Sequence, residues 1–200
     1  MMQANRCEVE INAILSAWKE RRGSGILALD GMCGSGKTTL SERISERTGF
    51  SVIHMDDYYL PFSQRKKNWR EIPAGNMDLI RLKKEVITPF QNHQWIQTRR
   101  YLCRSEQYIE EIIPPADGLI VEGTYSCHPV LKDAYTMCVF LEISEKIQRK
   151  RILEREGKRS SNFFKIWIPM ETNYFQTLAV RSHMDLCLNT ESGETEDDEK

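Results

Sequence analysis

The residues best placed to do chemistry are Gly31, Gly36, Lys37 and Thr38, which stand at the spacing G-x-x-x-x-G-K-[ST]. Gly31, Gly34 and Gly36 permit backbone conformations that side chains forbid, and a close approach to a phosphate. Successive amide N–H groups can then converge as an anion nest, and a helix beginning near Lys37 adds the positive end of its dipole. In such a loop the lysine reaches the β- and γ-phosphates and the Thr38 hydroxyl ligates Mg2+. An apolar run over residues 26–29 precedes the loop and helix-forming residues (LSERISER) follow it, which separates the pattern from a chance glycine-rich turn. The expected contacts to a nucleoside triphosphate are Gly31, Met32, Cys33, Gly34, Ser35, Gly36, Lys37, Thr38 and Thr39. The loop alone does not choose between kinase, motor and switch.

Other chemistry-bearing residues stand far from the loop in sequence. Glu122 closes the apolar run Leu119-Ile120-Val121, where a carboxylate can hold Mg2+ opposite Thr38. Asp56 closes a second short apolar run and can accept the proton of a hydroxyl that attacks the γ-phosphate, with Asp57 a competitor for that role. His54, inside that run, reads as a packed strand residue. Arg151, Arg155 and Arg159 recur every four residues, so a helix presents them along one face. They read either as a mobile lid that meets the charge of a transferring phosphoryl group or as a solvated face paired with Glu145, Glu154 and Glu156. The basic patch Arg65, Lys66 and Lys67 reads as a solvated loop face, and Cys33 as an inert loop position.

The elements that must position these residues alternate. Amphipathic spacing predicts a helix over residues 8–22, ended by Gly23. Strands are expected over 26–30, 51–55, 119–121, 137–143 and 185–188. Helices are expected over 38–48, 78–90, 130–134, 145–156 and, around Pro169, 162–181. Residues 94–102 and 107–113 read as a hairpin, and 58–76 as irregular. Short apolar strands alternating with helices give an α/β fold: a parallel sheet with helices on both faces, in the three-layer manner of P-loop nucleoside triphosphate hydrolases. Ligands in such sheets bind outside the strand carboxyl ends, where Asp30-Gly31, Asp56 and Glu122 would converge.

Two hundred residues fit a single domain, here residues 1–190, with 57–114 as an acceptor-binding insert and 145–160 as the lid. The net charge of -1 argues against a general nucleic-acid partner. No apolar run is long enough to cross a bilayer, and the N-terminus lacks the pattern of a signal peptide. The six cysteines lack metal-ligand spacing and read as reduced thiols of a cytoplasmic protein. Residues from Glu191 onward are acidic and apolar-poor, which predicts a disordered tail. Self-association is left open.

GMCGSGKTT, an apolar strand into MDDYY, then GNMD, LIVEG and QRKRILEREGK resemble, in order and spacing, the uridine kinase branch of the phosphoribulokinase and uridine kinase family. The likeness runs from about Gly25 to Asp185. The stretches HMDDYYLPFSQR, VEGTYSCHP and WIPMETNYF are similar to a bacterial subgroup labelled uridine kinase-like. By this resemblance Asp56 is the catalytic base, Tyr59, Asp78 and Tyr101 line the acceptor site, with Asp78 holding sugar hydroxyls, and Arg151 and Arg155 are lid arginines. The chain departs from the family where its Tyr-Asp pair is Tyr101-Leu102, and where Ser105-Glu106 replace a pyrimidine-reading histidine. The resemblance implies an ATP- and Mg2+-dependent kinase of a small hydroxyl compound, a nucleoside such as uridine first, with nicotinamide riboside, pantothenate and glycerate as further acceptors. The competing class is a P-loop ATPase or switch without an acceptor. A GTPase switch would carry an N-K-x-D motif, which the sequence lacks.

Overall fold

The computed structural model describes residues 2–191, with side chains from Cys7 onward; the stretch expected to be disordered lies, beyond Glu191, outside the described residues. The strands are β1 (Gly25–Gly31), β2 (Ser51–His54), β3 (Ile96–Leu102), β4 (Gln107–Ile113), β5 (Gly118–Glu122), β6 (Met137–Glu142) and β7 (Leu186–Asn189). Five of them form one sheet in the order β2-β5-β1-β6-β7, every pairing parallel. β3 and β4 pair antiparallel as the expected hairpin.

Alternation along β1 explains why its sequence is apolar throughout. Ile26 and Ala28 pack into one core layer, together with Val121, Phe140 and Tyr174. Leu27 and Leu29 pack into the other, against Ile120, Val139 and Leu141. A central parallel strand covered on both faces needs apolar residues at every position. Helix α1 (Met2–Arg21) and helix α2 (Lys37–Thr48) cover the second layer through Ile11, Ile14 and Trp18, and through Leu40 and Ile44. α1 starts earlier than its amphipathic stripe, and β2 stops one residue short of Met55, where a 3-10 turn, Met55–Tyr58, takes over.

Two helices carry a wide turn ahead of a proline. Lys83–Ile87 is π-helical before Thr88–Gln91, and Phe163–Trp167 is π-helical before Ile168–Thr177. Pro89 and Pro169 have no N–H to return to the preceding turn, and their rings crowd the carbonyl four residues back. A locally wider turn removes that conflict. The stretch expected as one helix around Pro169 is therefore a helix in pieces: Ser160–Asn162, the π turn, α4 (Ile168–Thr177), and a 3-10 turn, Val180–His183. Helix α3 (Glu145–Glu156) and a 3-10 turn, Gly157–Arg159, fill the expected lid region. Among the described residues no helix is long and apolar enough to cross a membrane.

Candidate active site

The carboxyl edge of the sheet brings the distant acids together. Leu29 of β1 and His54 of β2 both register with Glu122 at the end of β5. β1 then runs straight into the loop that precedes α2. Gly31 has φ 138°, and a Cβ there would sit 2.1 Å from the Leu141 carbonyl oxygen, so only glycine lets the chain turn against β6. Gly36 caps α2 in the left-handed region without a side-chain cap. The first-turn amides of α2 are thereby left for an anion.

Lys37 is buried and donates from Nζ to the carbonyl oxygens of Gly31 (2.8 Å) and Met32 (2.9 Å). The Thr38 hydroxyl donates to Glu122 Oε1 at 3.3 Å, and the same oxygen lies 2.6 Å from His54 Nδ1. His54 is thus a partner of the buried Glu122 rather than a mere packing residue, and that hydrogen bond raises its pKa above the usual histidine value. Thr38 and Glu122 form a hard oxygen pair with room for phosphate and water, which fits Mg2+, an ion that takes few protein ligands.

Asp56 follows β2 in the 3-10 turn, exposed to the cleft, and its Oδ1 accepts from the Tyr59 hydroxyl at 2.8 Å. Desolvation by the surrounding protein raises the Asp56 pKa, and Glu122 and Asp57 add to this, while Tyr59 and Lys37 oppose it. Asp57 instead pairs with Arg100 (Oδ2 to Nε, 3.3 Å). Lys37, Thr38, Asp56, Tyr59, Glu122, Arg151 and Arg155 line one cleft of about 660 Å³.

Two of the expected acceptor residues sit elsewhere. Asp78 caps the helical run that starts at Leu79, its Oδ1 accepting from Arg81 N (3.0 Å) and its Oδ2 3.3 Å from Arg81 Nε. Tyr101 is buried on β3 against Tyr108, and among the described residues its hydroxyl has no hydrogen-bond partner. Neither lines the cleft.

Sequence reasoning missed a second tier beneath the loop. Asp30 is fully buried, and its carboxylate accepts from Gly31 N (2.7 Å), Tyr125 N (3.2 Å), Cys127 N (2.9 Å) and the Tyr174 hydroxyl (2.7 Å). Glu171 of α4 accepts from the loop amide of Cys33 (2.9 Å) and from Gln148 Nε2 of α3 (2.7 Å). Burial pushes its pKa up to about 7, against Lys37, the Cys33 amide and Gln148, with Asp30 adding to the rise. Nothing in the spacing of α4 distinguishes Glu171 from a surface acid.

Glu171 yields a pH prediction. In the unfolded chain it ionises near 4.5, in the folded chain near 7, so between those values the folded state binds the extra proton. Its contribution is fully present below pH 4.5 and is lost as pH rises through about 7. Relative to Glu171→Gln, the native protein should lose about 3 kcal/mol between those limits, read by urea denaturation at pH 5 and pH 8. An equal difference at both pH values would count against a neutral Glu171.

No family model matches the chain, and no curated protein does. Solved structures do. A possible uridine kinase from Bacillus stearothermophilus is similar over 94% of this chain and 100% of its own, at 19% identity and a TM-score of 0.67. A candidate fructose transport system kinase from Silicibacter sp. TM1040 is similar over 94% and 98%, at 18% identity and a TM-score of 0.68. The chain shares the fold of these two structures. In this fold the glycine-rich loop before α2 is braced from outside. Arg151 of α3 donates to the Gly34 carbonyl (3.1 Å) and to the Thr190 carbonyl (2.9 Å), and the Thr190 hydroxyl donates to the Ser35 carbonyl (2.7 Å). Arg155 bonds Glu156 (3.0 Å) and lies 3.7 Å from Cys33 Sγ, while Arg159, past the end of α3, pairs with Glu156 (3.7 Å). The α3 arginines nearest the loop are therefore held against it. All six cysteines are free thiols.

Proposed function

We propose that this protein is an ATP- and Mg2+-dependent kinase that transfers the γ-phosphoryl group to a hydroxyl of a small molecule. The observation that carries the reading is the shared cleft: Asp56, held by Tyr59, faces the same space as Lys37 and Thr38. A switch needs the loop and the metal residues, whereas a carboxylate with its own tyrosine in the same cleft supports proton transfer from a bound hydroxyl there.

In this reading the loop amides and Lys37 hold the β- and γ-phosphates. Thr38 and Glu122 would hold Mg2+, which offsets phosphate charge. Asp56 takes the proton of the acceptor hydroxyl as that oxygen bonds to the γ-phosphorus and the bond from phosphorus to the β–γ bridging oxygen breaks, releasing ADP. A carboxylate with a raised pKa is a better proton acceptor than an ordinary one. The resemblance to uridine kinases puts a nucleoside such as uridine first among acceptors, and pantothenate, glycerate and nicotinamide riboside remain alternatives.

Arg151 and Arg155 meet charge that develops during transfer, so Arg151→Ala and Arg155→Ala should each lower kcat more than they raise KM for the acceptor. The expected loss is about tenfold or more in kcat. Steady-state kinetics decide it: a change in KM alone returns these arginines to a structural role. The test of the whole reading is an ADP-release screen over nucleosides, vitamins and sugar acids. Release that no hydroxyl compound stimulates would refute it.

A further inference from the structure

Among the cations lining the cleft, Arg151 and Arg155 have their donors engaged with loop carbonyls and with Glu156. Arg65 differs. Its Nε donates to the Leu60 carbonyl at 2.9 Å, but its Nη1 is shielded from water and has no hydrogen-bond partner among the described residues. Among the described residues no carboxylate pairs with it. The guanidinium lies over Phe62 (4.0 Å to the ring centre), Trp69 (4.9 Å) and Tyr59 (5.9 Å). These rings stabilise the cation but accept none of its N–H groups. A buried donor left unmade is costly, and the guanidinium, which lines the cleft, can meet a carboxylate or phosphate with charge-assisted hydrogen bonds from its Nη groups. The RKK run reads as a surface patch, yet only Lys66 and Lys67 are exposed, and Arg65 turns inward.

The position is as informative as the charge. One face of Tyr59 lies under Arg65, and the hydroxyl of the same residue donates to Asp56 at 2.8 Å. Trp167, 6.2 Å from the Tyr59 ring centre, forms the facing wall. A ligand with its hydroxyl at Asp56 and an acid group at Arg65 need be little longer than one tyrosine side chain. We propose that Arg65 binds an anionic group carried by the phosphoryl acceptor, so that the substrate is a small hydroxyl compound bearing a carboxylate or a phosphate. This rests on the kinase reading for the word acceptor; the anion site itself does not.

The test uses matched pairs that differ in the acid group: gluconate and glucose, pantothenate and pantothenol, glycerate and glycerol, ribose 5-phosphate and ribose, with uridine as a neutral nucleoside. Two readouts run in parallel, ADP release with Mg-ATP and quenching of tryptophan fluorescence, since Trp69 and Trp167 flank the site. At least one acid should exceed its neutral counterpart by tenfold or more, roughly the effect of one charge-assisted hydrogen bond. The carboxylate and phosphate arms identify which acid it is. Arg65→Gln should weaken that acid on the order of a hundredfold, and Arg65→Lys should keep part of the preference. Binding of a non-hydrolysable ATP analogue reports whether each variant is folded, and if Arg65→Gln is not, the native pair preference and Arg65→Lys decide. If no acid outperforms its neutral counterpart in either readout, or the preferred acid ignores Arg65, the proposal is overturned. Uridine as the best acceptor overturns it and leaves the kinase reading standing. Acid binding that needs Arg65 but gives no ADP release does the reverse.

Discussion

Asp56→Asn should lower kcat by roughly a hundred- to ten-thousand-fold, the range for a positioned general base, while the affinity for ATP stays within a few-fold. Asparagine keeps the shape and can still accept the Tyr59 hydroxyl bond seen at 2.8 Å, but it cannot take the acceptor proton. Asp57→Asn should be mild by comparison, because Asp57 is paired with Arg100 and its loss leaves the cleft carboxylate in place. The measurement is ADP release with and without the acceptor found in the screen, beside binding of an ATP analogue. Acceptor-independent hydrolysis that survives Asp56→Asn would remove the kinase reading and favour a plain ATPase.

Lys37→Ala should reduce turnover by about a hundredfold or more, as expected when a charge matched to the transition state is removed. Two effects combine. The cation that would meet the β- and γ-phosphates is lost, and the carbonyls of Gly31 and Met32 lose the donor that now holds them. The nucleotide should also bind less tightly, in contrast to Asp56→Asn, so the pair of variants separates donor-side from acceptor-side roles. Single-turnover kinetics at saturating ATP isolate the chemical step. Turnover within a few-fold of the native protein would argue against phosphate binding by this loop.

The parts legible in sequence are those where chemistry or periodicity fixes position. The loop was readable because only glycine at position 31 can turn against β6, where a Cβ would meet the Leu141 carbonyl, and because Lys37 stands at the fixed spacing of the pattern. The sheet was readable because a strand covered on both faces admits no polar residue in its middle. Arg65 was not readable, since three basic residues in a row look alike until the fold turns one inward. Glu171 was hidden for the converse reason: α4 mixes polar and apolar residues, and the loop amide it accepts from lies 138 positions away. Asp78 and Tyr101 came from family resemblance, and their observed neighbours have local causes. Asp78 precedes a helix whose free amides need a cap, and Tyr101 lies on the opposite face of β3 from Ile96 and Thr98, buried against Tyr108.

The clasp between Ser35 and Thr190 joins residues 155 apart in the chain. During synthesis the loop emerges well before its brace, with 155 positions between them. At ordinary elongation rates that separation takes roughly ten to thirty seconds to synthesise. Throughout that interval a nascent chain has the glycines and the lysine without the strand and the threonine that steady them. Nucleotide binding should therefore switch on late, when β7 docks beside β6, and a ribosome-held chain stalled before Thr190 should capture ATP poorly.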